Sequence, residues 1–132
     1  MKTSLLVHVI VDGCDEVKGS LSTARMIRFH GRAESDFFNG EILPGGVDTQ
    51  REYSDKPFSL SARYMLKGKD KDGKDCLLFI ENNGTATDGV VTTSPRLLSD
   101  SPSLAWLETA RTSGSISDKD GELLITIRIE TD

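Results

Sequence analysis

Punctuation constrains this chain more than any other feature. Six Asn-Gly or Asp-Gly pairs are spread along it: Asp12-Gly13, Asn39-Gly40, Asp72-Gly73, Asn83-Gly84, Asp88-Gly89 and Asp120-Gly121. Such pairs suit tight hairpins because both central residues tolerate positive φ. The segments between them are short and repeat every second residue. In "ELLITIRIET", Leu123, Ile125, Ile127 and Ile129 fall on one face, and Thr126, Arg128 and Glu130 on the other. In "FSLSARYML", Phe58, Leu60, Ala62, Tyr64 and Leu66 share a face opposite Ser59, Ser61 and Arg63. That period is the strand period. "LLVHVIV" and "DCLLFIEN" are more uniformly apolar and read as central or barrel-closing strands. The helical signal is confined to "SDSPSLAWLE", where Ser101 suits a cap and Pro102 a first helical position.

Many short strands with tight turns imply an antiparallel sandwich or barrel. Closure removes exposed edges, and the regular, one-sidedly apolar final strand has the profile of a closing one. The sequence therefore predicts an all-β fold: a single antiparallel β-barrel, calycin-like, over residues 1–132, with at most one short helix near 101–107. At 132 residues the chain fits one domain. No linker, repeat or low-complexity segment divides it.

The formal charge is −5. Its lysines cluster only in "KGKDKDGKD", among neutralising aspartates. Nucleic acid and anionic membranes need a basic excess, so neither is an expected partner. No apolar run approaches bilayer length, and "SLLVHVIV" reads as a strand rather than a signal peptide, which makes a cytoplasmic protein the expectation. Cys14 and Cys76 then read as reduced thiols, Cys76 as a small core residue. A calcium loop in "KDKDGKDCLLF" fails on spacing, because its first and twelfth ligand positions fall on Gly68 and Phe79. Two separated histidines do not make a zinc site. No metal and no cofactor is expected. A homodimer is compatible with a small barrel, though no sequence feature establishes one.

The stretch "GEILPGGVDTQ" (40–50) reads as a sharp corner between two strands, with Asp48 just beyond it. With "SARYML" (61–66), "LLFIENNG" (77–84) and "TSPRLLSDSPSLAWLE" (93–108), it resembles, in order and spacing, uncharacterised protein family 0311, also catalogued as domain of unknown function 3237. The resemblance covers about residues 20–130. It departs from the family pattern at Thr49, Ser61 and "LLSDS". It implies a small antiparallel barrel. It also implies that some fungal relatives act as isomerases in natural-product pathways, although most members are uncharacterised.

Two functional readings follow, together with a third in which the interior is solidly packed and the protein is structural. One is a barrel that binds a small molecule without chemistry. The other is a cofactor-independent isomerase or cyclase acting on an oxygenated, aromatic or polyketide-like ligand. There His30 or Asp48 would move a proton beside a carbonyl, while Arg63 and Arg96 stabilised the enolate. The ligand-binding candidates are Asp48, Arg63, Tyr64, Asn82, Arg96 and Trp106. Each has a plainer reading. Asp48 caps the corner. Arg63 and Arg96 lie on the solvent face. Tyr64 is core with its hydroxyl partnered, and Asn82 and Asn83 form a turn. His30 belongs to a polar outer face with Arg28 and Arg32. His8 is a hydrogen-bonded core residue, and Trp106 anchors one end of the barrel.

Overall fold

The computed structural model covers residues 1–132. Nine strands run in order: β1 Lys2–Lys18, β2 Ser22–Glu34, β3 Phe38–Ile42, β4 Val47–Tyr53, β5 Phe58–Asp70, β6 Asp75–Thr87, β7 Val90–Ser99, β8 Arg111–Lys119 and β9 Glu122–Glu130. A 3-10 helix, Pro102–Glu108, joins β7 to β8. All pairings are antiparallel. β3 and β4 both pair with β2 on one side and β5 on the other, so they form one interrupted stave. Pairing of β9 with β1 closes the sheet into an eight-stave barrel.

The alternations read from sequence survive. Leu123, Ile125, Ile127 and Ile129 of β9 line the interior or its rim, as do Leu60, Ala62, Tyr64 and Leu66 of β5. In β1, Leu5, Val7 and Val9 turn inward. Twenty buried residues form one contiguous core, Cys76 among them. Fully burying each large aliphatic or aromatic side chain contributes roughly 1.5–3 kcal/mol.

The helix covers one end. Leu104 and Leu107 enter the core, and Trp106 packs edge-on against Phe37 at 5.3 Å. Ser101 does not cap the helix through its side chain. Its hydroxyl donates instead to Asp70 Oδ2 at 2.8 Å, while Asp70 Oδ1 accepts from the backbone N–H groups of Asp72 and Lys74. One buried carboxylate thus ties the helix to the β5–β6 turn. The Lys74 backbone bond foremost, then the Ser101, Asp72 and Ser103 bonds, holds its pKa down against desolvation. The other end has no such cover. Inward positions there, Arg25, Gln50 and Ile116, remain partly exposed.

Three of the six glycine pairs are turns. Asp88-Gly89 and Asp120-Gly121 have positive φ at both residues, as tight hairpins require, and Asp72-Gly73 sits in the β5–β6 turn. The rest lie inside strands. Asp12-Gly13 marks a bulge in β1, and Asn39-Gly40 lies in β3. Asn83-Gly84 runs through the middle of β6, which overturns the turn reading of Asn82 and Asn83. Glycine serves there by close approach: a Cβ on Gly84 would lie 2.5 Å from the Thr92 carbonyl oxygen.

The Pro44-Gly45-Gly46 corner is real but falls within one stave, between β3 and β4. Gly45 has φ +109°, which side-chain-bearing residues rarely adopt. The Gly46 carbonyl accepts from Phe29 N–H, so the kink stays tied to β2. Between β7 and β8 the ladder is reduced to Thr93↔Gly114. Pro95, which has no N–H to donate, lies beside that pair, and its carbonyl accepts from the Thr112 hydroxyl.

Candidate functional site

Strand register decides which side chains meet. Directly paired residues of an antiparallel ladder share a face, and one rung reads Asp48↔Ala62↔Asn82↔Pro95 across β4, β5, β6 and β7. Ala62 and Pro95 are buried, so the rung faces inward. Asn82 is 1% exposed. Its Oδ1 has no hydrogen-bond partner, and neither do Asp48 Oδ1, Tyr64 Oη and Thr93 Oγ1. Tyr64 lies two residues along β5 from Ala62. Thr93 pairs with Gly84, two residues along β6 from Asn82. Buried polar groups are nearly always satisfied. The four stranded ones are spread along the inner wall: Asp48 and Asn82 flank one rung, Thr93 lies two residues nearer the uncovered end, and Tyr64 lies two residues nearer the helix.

Asp48 is half-buried, and its other oxygen accepts from the Gln50 amide at 2.8 Å. Desolvation raises its pKa, against the opposing pull of the Gln50 hydrogen bond and the nearby Ser61 backbone N–H. Burial also pushes the Tyr64 hydroxyl upward, which keeps it neutral. Its ring packs edge-on against Phe29 at 5.2 Å. Tyr64 is therefore core, as read from sequence, but its hydroxyl lacks the expected partner.

At the rim, Arg25 bridges two carboxylates, donating to Glu16 and Glu52 at 2.6 Å each. Arg25 pairs with both Glu16 and Gln50, so this bridge stands on the same inner face as Asp48.

The other candidates do not join these atoms. Arg63 is paired with Val47 rather than Asp48, points outward, is 63% exposed and meets Glu81 at 2.9 Å. Arg96 is exposed beside the same Glu81. Neither arginine lies across the interior from Asp48, because odd positions of β5 and even positions of β7 face solvent. His30 is on the outer face, as its polar neighbours indicated, with Nδ1 2.6 Å from Asp12. It borders an open groove of about 590 Å³ beside the Gly45-Gly46 corner, together with Arg28 and Asp15. His8 is hydrogen-bonded but not core. It is partly buried on the outer face, between Glu122 at 2.8 Å and Glu34 at 3.3 Å. Trp106 belongs to the covered end, its indole N–H donating to the Ser103 carbonyl. Asn83 also faces outward, accepting from the Ser61 hydroxyl. Gln50, Thr93 and the Arg25 bridge were not singled out from sequence. Their signal is pairing register, which emerges only once the strands are aligned.

The fold and this interior define a closed β-barrel with unpartnered polar atoms on its inner wall and one uncovered end. The family model described as "Protein of unknown function (DUF3237)" matches residues 5–89, and the chain belongs to that family. The matched stretch includes Asp48, Tyr64 and Asn82. A UPF0311 protein of Clostridium acetobutylicum is 36% identical over 78 residues, which are 59% of this chain and 46% of that protein, so the match spans about half of the curated relative. Among solved structures, a Clostridium acetobutylicum protein of unknown function superposes with TM-score 0.81 at 24% identity, covering 98% of this chain and 97% of its own. A Rhodopseudomonas palustris protein of unknown function gives 0.78 at 18%, covering 98% and 96%. An Acinetobacter baumannii protein described as β-barrel-like gives 0.72 at 17%, covering 96% and 92%. These likenesses bear on the fold. No helix is long and apolar enough to cross a membrane.

Proposed function

We propose that this barrel binds a small organic molecule at its uncovered end, anchored by Asp48, Tyr64 and Asn82. One observation carries the reading: buried polar atoms on a shared inner face have no protein partner. Each such atom costs roughly 1–3 kcal/mol unless something hydrogen-bonds it. Binding pockets commonly combine an apolar lining with a few convergent polar groups. Here Leu60, Ala62 and Ile80 supply apolar neighbours on the same face.

Proton-transfer chemistry finds less support. Asp48 has the raised pKa of a general base, but an enolate would need a cation facing it. Arg63 and Arg96 face away, and Arg25 is already held by two carboxylates. Binding without turnover is therefore the favoured function.

A thermal-shift screen of small amines, alcohols, phenols and carboxylates tests it. A hit should raise the melting temperature of the wild type. The shift should disappear in Asp48→Ala and Asn82→Ala while both variants keep the β-sheet circular dichroism spectrum. Hits that survive both substitutions would place binding elsewhere.

A further inference from the structure

The inner face at the uncovered end is acidic. By register, Glu16, Lys18, Arg25, Asp48, Glu52 and Asp118 lie on it, four carboxylates against two bases. Arg25 is held by Glu16 and Glu52, and the exposed Lys18 stands 3.7 Å from Glu16. An incoming anion would meet excess negative charge on this face.

The stranded atoms point the same way. Asp48 Oδ1 and Asn82 Oδ1 accept hydrogen bonds, Tyr64 Oη can accept one as well, and none has a donor. Asp48 and Asn82 flank Ala62 on successive staves. Two inter-strand steps separate their backbones by roughly 10 Å. Between them Ala62 offers only a methyl group. A primary ammonium carries N–H donors for both Oδ1 atoms and has none to accept with.

Resting on the binding reading above, we propose that the inner site selects a small organic amine in its protonated form. The ammonium lies between Asp48 and Asn82, and the apolar remainder lies along Leu60 and the rim. The Arg25 bridge serves selectivity: by occupying the only arginine of the mouth, Glu16 and Glu52 deny carboxylate ligands a partner.

Matched probes test this: benzylamine, benzyl alcohol and benzoate, with butylamine, butanol and butyrate as a smaller series. Affinities come from thermal shift and calorimetry at neutral pH. Each amine should bind about tenfold more tightly than its alcohol, the advantage of a charge-assisted hydrogen bond over a neutral one, and the acids should not bind. The isosteric Asp48→Asn should erase the amine preference, and circular dichroism checks its fold. Binding of an alcohol or acid as strong as the amine's overturns the amine assignment but leaves a binding barrel. No shift from any of the six probes overturns both.

Discussion

Asn82→Leu should stabilise the protein and abolish ligand binding in the same step. Asn82 is 1% exposed in the middle of β6, with Ala62 and Pro95 beside it on the inner face. Its Oδ1 is unpartnered, a desolvation penalty of roughly 1–3 kcal/mol. Leucine removes that penalty and adds apolar contact, but its extra bulk needs space, and a packed core would charge roughly 1–3 kcal/mol for it. If these atoms line a binding site, the space exists. The net expectation is then a gain of about 1–2 kcal/mol, or a melting temperature raised by roughly 3–10 °C for a domain of this size. Circular dichroism melts and urea titrations measure the gain, and thermal shift with benzylamine measures binding. A fall in melting temperature would refute the reasoning, because it would mean that the amide is structural and the interior full.

Three further outcomes follow from the same geometry. Asp48→Asn should be more stable than wild type at neutral pH, since a raised folded-state pKa makes wild-type stability fall as pH climbs above the ordinary carboxylate value of about 3.9. The gap should open with rising pH in urea titrations, and a gap independent of pH would count against a desolvated Asp48. Asp70→Asn should show the reverse. A lowered pKa stabilises above the ordinary carboxylate range and is lost as pH falls, so the variant's deficit should shrink in acid, with faster amide exchange in the 3-10 helix at neutral pH. Arg63→Ala and Arg96→Ala should leave any ligand affinity unchanged in calorimetry. The exposed Arg63–Glu81 pair should cost about 0.5 kcal/mol at most.

Much of the architecture was legible in the residues because burial imposes a period of two. The faces of β5 and β9 and the closing role of β9 follow from alternation, and the covered end follows from the Ser-Pro start and Trp106. Glycine pairs were ambiguous. Asn83-Gly84 and Asp88-Gly89 look alike as dipeptides, yet one crosses the barrel wall where Thr92 approaches closely and the other turns a hairpin. The candidate site was only half legible. Asp48, Tyr64 and Asn82 were singled out and do share a face. Arg63 and Arg96 were singled out beside them and lie on the opposite side of the wall. Alternation excludes an interior arginine here: Arg63 lies between the inward Ala62 and Tyr64 of β5 and pairs with Val47 rather than Asp48. Asp48 is best understood through the kink at Gly45-Gly46. The corner brings the residue back to the inner face two positions later, where its carboxylate is half-buried rather than capping the turn.

Nuclear magnetic resonance of the wild-type protein titrated with benzylamine tests the central claim most directly. The account predicts that the Asn82 side-chain amide and the backbone amides of Asp48, Ala62 and Asn82 shift together along one saturating curve, with His30 and Arg28 unmoved. Shifts confined to His30, Arg28 and the outer groove beside the Gly45-Gly46 corner would contradict it and assign recognition to the outside of the barrel.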